Sequence, residues 1–275
     1  MKETVPQKVR PYRRSVIARK MLMPALAAPA AFVLAGYLFV SSASSFAARP
    51  AQDTDIDTDT IHYDSGGLLM DAFVAKPKAG GQHPAVLVIH GEQGLDDSMR
   101  AIARQFAAAG FVALAPDLTS RLGGTRTPGQ MAQAVRQLSP NLTLQDLRAA
   151  LAFLRKDAGV DSARISSVGF GWGGWRSFTL AASEPELYRA VVYSGASPTQ
   201  GFDAIHAPVL ANYAQYDFRI TGNALWTEKA MDGAGKKFTY YVYPKVRHAF
   251  YSEGPQYDAE AAKLAWTRTL DFLRR

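Results

Sequence analysis

The sequence predicts an α/β fold built on a mostly parallel sheet with helices covering both faces. Three observations lead there. Short apolar runs at 85–90, 111–115, 165–168, 190–193, 209–213 and 238–243 alternate with segments of helical period. The clearest of them, 85–90, is apolar on consecutive positions, the pattern of a strand buried on both sides. The run at 165–168 enters a glycine-rich turn, Gly169-Phe170-Gly171-Trp172-Gly173-Gly174, and a helix-compatible segment follows at 177–182. That is the outline of a sharp strand-to-helix turn which lifts its middle side chain above the sheet edge. Here the middle position is Gly171, which has no side chain to lift.

The elements are justified in chain order. Residues 1–20 are polar and basic, 21–40 are almost wholly apolar, and small residues follow to Ala47-Ala48. A basic, an apolar and a small-residue segment in that order form a secretory signal over 1–48. Tyr12-Arg13-Arg14-Ser15-Val16-Ile17 resembles the twin-arginine type, which addresses a folded protein to the export machinery. This predicts a periplasmic or secreted protein. An uncleaved membrane anchor is the other reading, since about 20 apolar residues span a bilayer. Pro24, Pro29 and the many alanines favour cleavage after Ala47 or Ala48.

Residues 49–59, rich in Asp and Thr, read as a solvated linker, and 60–275 as the folded domain. Segments 60–65 and 68–75 flank Gly66-Gly67 and predict a β-hairpin. Segment 97–109 has helical spacing and stops at Gly110, a C-cap signal. Residues 118–130, with Gly123-Gly124 and Pro128-Gly129, read as a loop. Over 143–156, Leu144, Leu147, Ala150, Leu151 and Leu154 share one helical face. Further helices are expected near 222–232 and over 258–274, the latter with Ala261, Leu264, Ala265 and Phe272 near one stripe.

Composition narrows the function. The chain has 275 residues and a formal net charge of +7. Seven Lys and Arg against the single Glu3 fall within 1–48, so six of those positive charges belong to the leader. The domain is close to neutral, which argues against nucleic acid as a partner. There is no cysteine, which rules out disulfides, thiolate metal sites and a thiol nucleophile anywhere in the chain. No metal-ligand cluster or phosphate loop stands out, and no cofactor is expected.

Several short motifs succeed one another in a fixed order: Phe111-Val112-Ala113-Leu114-Ala115-Pro116-Asp117-Leu118, Ala207-Pro208-Val209-Leu210, Tyr216-Asp217, Tyr243-Pro244 and His248-Ala249-Phe250. With the glycine-rich turn they resemble the dienelactone hydrolase family over roughly 60–275. The resemblance implies an α/β-hydrolase fold and a small ester, lactone or carboxylate as ligand. It implies that Asp217 and His248 are the acid and base of a triad. The family turn reads G-x-C-x-G-G, so Gly171 stands at the nucleophile position. Backbone amides of Trp172 and Glu92 would form the oxyanion hole. Arg121, four residues past Asp117, matches a family arginine that binds a substrate carboxylate. Where a second arginine is expected the chain has Ser252, and where a family glutamate precedes a glycine by three it has Gly91, with Glu92 displaced by one. Ser177, Ser194 and Ser252 are the nearby hydroxyls available to replace the nucleophile, and each reads more simply as an ordinary polar residue; His90 reads as a strand-end residue. Three readings stay open: a hydrolase that activates water or another nucleophile, a pseudoenzyme that binds a small carboxylate or lactone, and a tethered interaction protein.

Overall fold

The computed structural model describes residues 55–123 and 127–275; the leader expected over 1–48 lies outside them. Eight strands form one sheet. They are β1 (Ile56–Ser65), β2 (Leu68–Pro77), β3 (His83–Ile89), β4 (Val112–Pro116), β5 (Val160–Phe170), β6 (Ala190–Tyr193), β7 (Val209–Ala214) and β8 (Phe238–Tyr243). Their spatial order is β1-β2-β4-β3-β5-β6-β7-β8. The first three in that order pair antiparallel, and every pair from β4 to β8 is parallel. Among the described residues seven α-helices accompany it: α1 (Asp97–Ala108), α2 (Pro128–Gln137), α3 (Pro140–Lys156), α4 (Trp172–Ser183), α5 (Phe218–Thr221), α6 (Ala224–Gly233) and α7 (Ala259–Arg274).

The central strand shows why the apolar runs are continuous. In β3, Leu87 and Ile89 join one core layer with Leu147 and Leu151 of α3 and Phe178 of α4. Val86 and Val88 join the opposite layer with Ile102 and Phe106 of α1 and Ala265 of α7. Successive side chains of a strand point to opposite faces, so a strand covered on both sides has no solvent-facing register to fill with polar residues.

The hairpin turns at Gly66 and Gly67, both with positive φ (65° and 84°), as a two-residue turn matched to strand twist requires. Strand β1 already begins at Ile56, so the segment read as linker is shorter than expected at its C-terminal end. Pairing with β2 down to Pro77 accounts for this: Asp57, Thr58 and Asp59 are exposed edge-strand residues, polar because they face water. The segment read as a loop contains the start of α2. Thr127 caps it in a reciprocal box with Gln130, and Pro128 takes the first turn, where a missing N–H costs nothing. Helix α3 likewise starts earlier than expected, at Pro140 after the Ser139 cap. Among the described residues no helix is long and apolar enough to cross a membrane.

Helix α4 leaves β5 through the glycine turn and lies unusually close to the sheet. A Cβ on Gly169 would stand 2.0 Å from the carbonyl oxygen of Gly173, and one on Gly173 would stand 2.3 Å from that of His90. Both contacts are with backbone, which cannot swing aside. Gly169→Ala is therefore expected to lower stability by about 3 kcal/mol or more, at the upper end of overpacking costs. A urea denaturation midpoint unchanged from the parent would contradict this close approach.

Candidate active site

The carboxyl ends of β3, β5, β6, β7 and β8 open onto a cavity of about 490 Å³, lined among others by Glu92, Gly171, Trp172, Ser194, Asp217 and His248. This is where parallel α/β sheets place their sites. Asp217 follows β7 and starts α5; its backbone carbonyl accepts from the amides of Ile220 and Thr221. His248 lies in the segment after β8. That segment is tied to the end of β7 by Tyr216 N–H donating to Val246 O (3.0 Å) and Lys245 N–H donating to Gln215 Oε1 (2.8 Å). Lys245 and Ala249 adopt positive φ (61° and 62°), a conformation costly for side-chain-bearing residues and concentrated at functional sites.

The two side chains meet. His248 Nδ1 and Asp217 Oδ2 are 2.6 Å apart, with the carboxylate only 10% exposed and the imidazole 47% exposed. An ionised carboxylate only accepts, so Nδ1 carries the proton and Nε2 is left with its lone pair. Nε2 faces the turn at the end of β5: a Cβ built on Gly171 would lie 3.6 Å from it. The same Cβ would lie 3.8 Å from the hydroxyl of Tyr251. Both are ordinary van der Waals separations, so the space above Gly171 is open. Gly171 has φ 54° and ψ −113°, a conformation a side chain adopts only under strain.

Trp172 is the first residue of α4, and a helix leaves its first amides without an intrahelical acceptor. Glu92 sits in the turn closed by Gly94 N–H donating to Gly91 O (3.2 Å). Both residues line the cavity that also contains Gly171. The Glu92 carboxylate itself pairs with Arg136 of α2 (2.8 Å). A Cβ on Gly91 would come within 3.2 Å of Phe170 O, a tight fit for a carboxylate there.

Arg121 is placed elsewhere. Its guanidinium makes a two-pronged pair with Asp146 of α3, Nε to Oδ2 and Nη2 to Oδ1 at 2.7 Å each, and it does not line the cavity. Asp146 is 1% exposed and also accepts from Ser65 Oγ (2.6 Å), so the arginine is committed to a buried acceptor. The cations that do reach the cavity are Arg136 and Arg219, neither of which the sequence patterns single out. Arg219 lies two residues past Asp217, and that offset was the available signal.

The candidate hydroxyls separate. Ser177 Oγ is buried against Ser167 Oγ at 2.8 Å, a core contact. Ser252 lines a different cavity of about 580 Å³ between α1 and α7, in whose wall Tyr251 stands. Ser194 lines the site; it is buried, has φ 49°, and its Oγ has no hydrogen-bond partner. His90 is wholly buried: Nδ1 meets Gly91 O (2.8 Å), Nε2 accepts from Leu118 N–H (3.2 Å), and burial pushes its pKa down. Both ring nitrogens are occupied, so it acts as a neutral strut under Trp172, on which it stacks. Among the described residues no three His, Asp or Glu side chains gather in a way that could hold a metal ion.

Known proteins share this chain's family and fold. The model of the dienelactone hydrolase family matches residues 70–275. A protein of Methylorubrum extorquens provisionally named carboxymethylenebutenolidase is 30% identical over 245 residues, covering 78% of this chain and 84% of the relative. One of Escherichia coli with the same provisional name is 30% identical over 257 residues, covering 86% and 94%. A crystal structure provisionally named dienelactone hydrolase, from Klebsiella pneumoniae, superposes with a TM-score of 0.74 at 28% identity, covering 80% of this chain and 99% of that one. A dienelactone hydrolase-like promiscuous phosphotriesterase from metagenomic libraries shares the fold, with a TM-score of 0.71 at 20% identity over 80% of this chain and 98% of that one.

Removing Arg121 tests its assignment to the fold. Arg121→Ala leaves Asp146 buried without its cation, and breaking such a pair costs about 3 kcal/mol. Urea denaturation should show that loss, and carboxylate binding measured below the transition should be unchanged. A weakened ligand with unaltered stability would return Arg121 to the binding site.

Proposed function

The chain belongs to the dienelactone hydrolase family, and on that premise we propose that it hydrolyses a small ester or lactone with water in place of the missing nucleophilic side chain. One observation carries the reading. The Asp217–His248 pair is assembled, and Nε2 is aimed at the space above Gly171, where the family's elbow cysteine would stand.

The chemistry follows from that aim. His248 Nε2 takes a proton from water as the water oxygen bonds to the carbonyl carbon, and the carbonyl electrons move onto oxygen. The oxyanion accepts hydrogen bonds from the Trp172 and Glu92 amides. When the bond to the leaving oxygen breaks, the imidazolium returns its proton to that oxygen. Acid and alcohol result, or a hydroxy acid from a lactone. Asp217 orients the ring and stabilises its cationic state. No covalent intermediate forms, so the rate rests on general-base assistance, about 10²–10⁴-fold, and on the oxyanion contacts. Arg219 at the cavity supplies positive charge for a substrate bearing a carboxylate.

The alternative is a protein that binds such a molecule without turning it over. It draws on the same glycine, since nothing in this chain forms an acyl-enzyme at 171. Purified protein assayed with p-nitrophenyl acetate beside a His248→Ala control separates the two. Equal rates for both would leave binding as the function.

Gly171→Cys is the sharper test. The space above residue 171 is open, and a Cys thiolate is intrinsically more nucleophilic than a Ser hydroxyl. The variant should gain esterase activity with a burst of product from acyl-enzyme formation. It should lose about 1–3 kcal/mol of stability to the strained backbone. A folded variant with no burst, and no dependence on His248, would show that the pair is not poised for catalysis.

The leader supports a periplasmic or secreted location for this activity. Its Arg13-Arg14 pair precedes an apolar run and Ala47-Ala48. Replacing both arginines with lysine should leave full-length protein in the cytoplasm on cell fractionation. Normal delivery of the double variant would remove the twin-arginine assignment.

A further inference from the structure

The mechanism above uses one side chain at the space over Gly171, and the structure puts a second there. Tyr251 Oη lies 3.8 Å from the position of a Cβ on residue 171, and His248 Nε2 lies 3.6 Å from it. Outside the adjacent residues, no other described atom comes within 4 Å of that position. The Tyr251 ring is held by Phe170, Tyr193 and Phe250, at centroid separations of 5.0, 5.2 and 5.7 Å, so the hydroxyl is aimed by packing on three sides. That hydroxyl has no hydrogen-bond partner among the described residues. Packed tyrosines ordinarily find a partner for the hydroxyl, and the space above Gly171, 3.8 Å away, can hold one.

We propose that Tyr251 Oη and His248 Nε2 together form a binding site for one water molecule above Gly171. Water donates one O–H to the lone pair of Nε2 and the other to Oη, which leaves its own lone pairs facing the cavity. Two polar partners and an opening to solvent meet the needs of an ordered water. Burial, with the charges of Asp217 and Asp96, pushes the Tyr251 phenol up, so it stays neutral and repels neither the carboxylate nor a developing oxyanion. In the hydrolytic reading, on which this step rests, the bound water is the nucleophile: its oxygen bonds to the carbonyl carbon, the proton facing Nε2 moves there, and the other hydrogen stays with the new carboxyl group. Tyr251 then does for orientation what a covalent bond to Cα does in a side-chain nucleophile.

Tyr251→Phe keeps the ring and its packing and deletes only the hydroxyl. Two measurements on the mature protein are needed: a crystal structure fine enough to show waters, and kcat and KM for p-nitrophenyl acetate. The expected result is a water within hydrogen-bond distance of both Nε2 and Oη, absent from the Phe variant, and a kcat reduced about 10- to 100-fold with KM little changed. A parent structure with no such water overturns the proposal, and so does an undiminished kcat in the variant. Parent protein that holds the water yet shows no turnover supports the water site while removing the hydrolytic reading. A fall in KM and kcat together with altered ring packing would mark Tyr251 as a purely structural residue and overturn it as well.

Discussion

The site depends on how closely the backbone of α4 approaches the ends of β3 and β5. At Gly169 and Gly173 the carbonyl groups of neighbouring elements occupy the volume of any side chain. That closeness turns β5 into α4 within one residue and leaves Gly171 with its positive φ at the lip of the cavity. It also seats Trp172 over the buried His90 ring, which sets where the first amide of the helix stands. The amide of Gly171 donates to Tyr193 O (2.8 Å), so the end of β6 and its strained Ser194 are fixed by the same turn. Loosening this contact would move the start of α4, the cavity wall and the space faced by His248 at once.

The rest of the machinery comes from the far side of the sheet and is held differently. Asp217 and His248 stand on connections after β7 and β8, which have no helix pressed on them as tightly as α4. They are fixed by hydrogen bonds between the two connections and by an aromatic group, Phe250 on Tyr243 and Tyr251 on Phe170. The buried carboxylate and half-exposed imidazole give the pair one fixed end and one that reaches substrate. This division, rigid amides on one side and a base on a packed but irregular segment on the other, suits a site where charge develops at a set point.

Much of this was legible in the sequence, for physical reasons that differ from part to part. The central strands were readable because burial on both faces leaves no polar positions, as Val86, Leu87, Val88 and Ile89 show. The hairpin was readable because only glycine suits both turn positions. Helix α2 reads as loop in the sequence because glycine and proline punctuate its first turn, although Thr127, Pro128 and Gln130 form a start signal. Strand β1 was cut short because its exposed edge residues have the composition of a linker. For the site, Asp217 and His248 are picked out by the family resemblance of Tyr216-Asp217 and His248-Ala249-Phe250, and the structure brings their side chains to 2.6 Å. Spacing could not tell that Arg121 faces Asp146, since the acceptor lies on a helix 25 residues away. The hydroxyl of Tyr251 was equally out of reach, because its direction is set by rings from three separate stretches of chain.

An elbow residue without a side chain also decides how this protein behaves toward reactive inhibitors. Fluorophosphonates, which trap hydrolases of this fold, form their bond to the elbow oxygen or sulfur. Residue 171 offers neither, and the chain has no cysteine elsewhere to alkylate. A survey with fluorophosphonate labels would leave this protein in the unreactive fraction whatever its turnover. Reversible ligands that copy the tetrahedral intermediate, such as phosphonates with an arm toward Arg219, are the compounds matched to what the cavity presents.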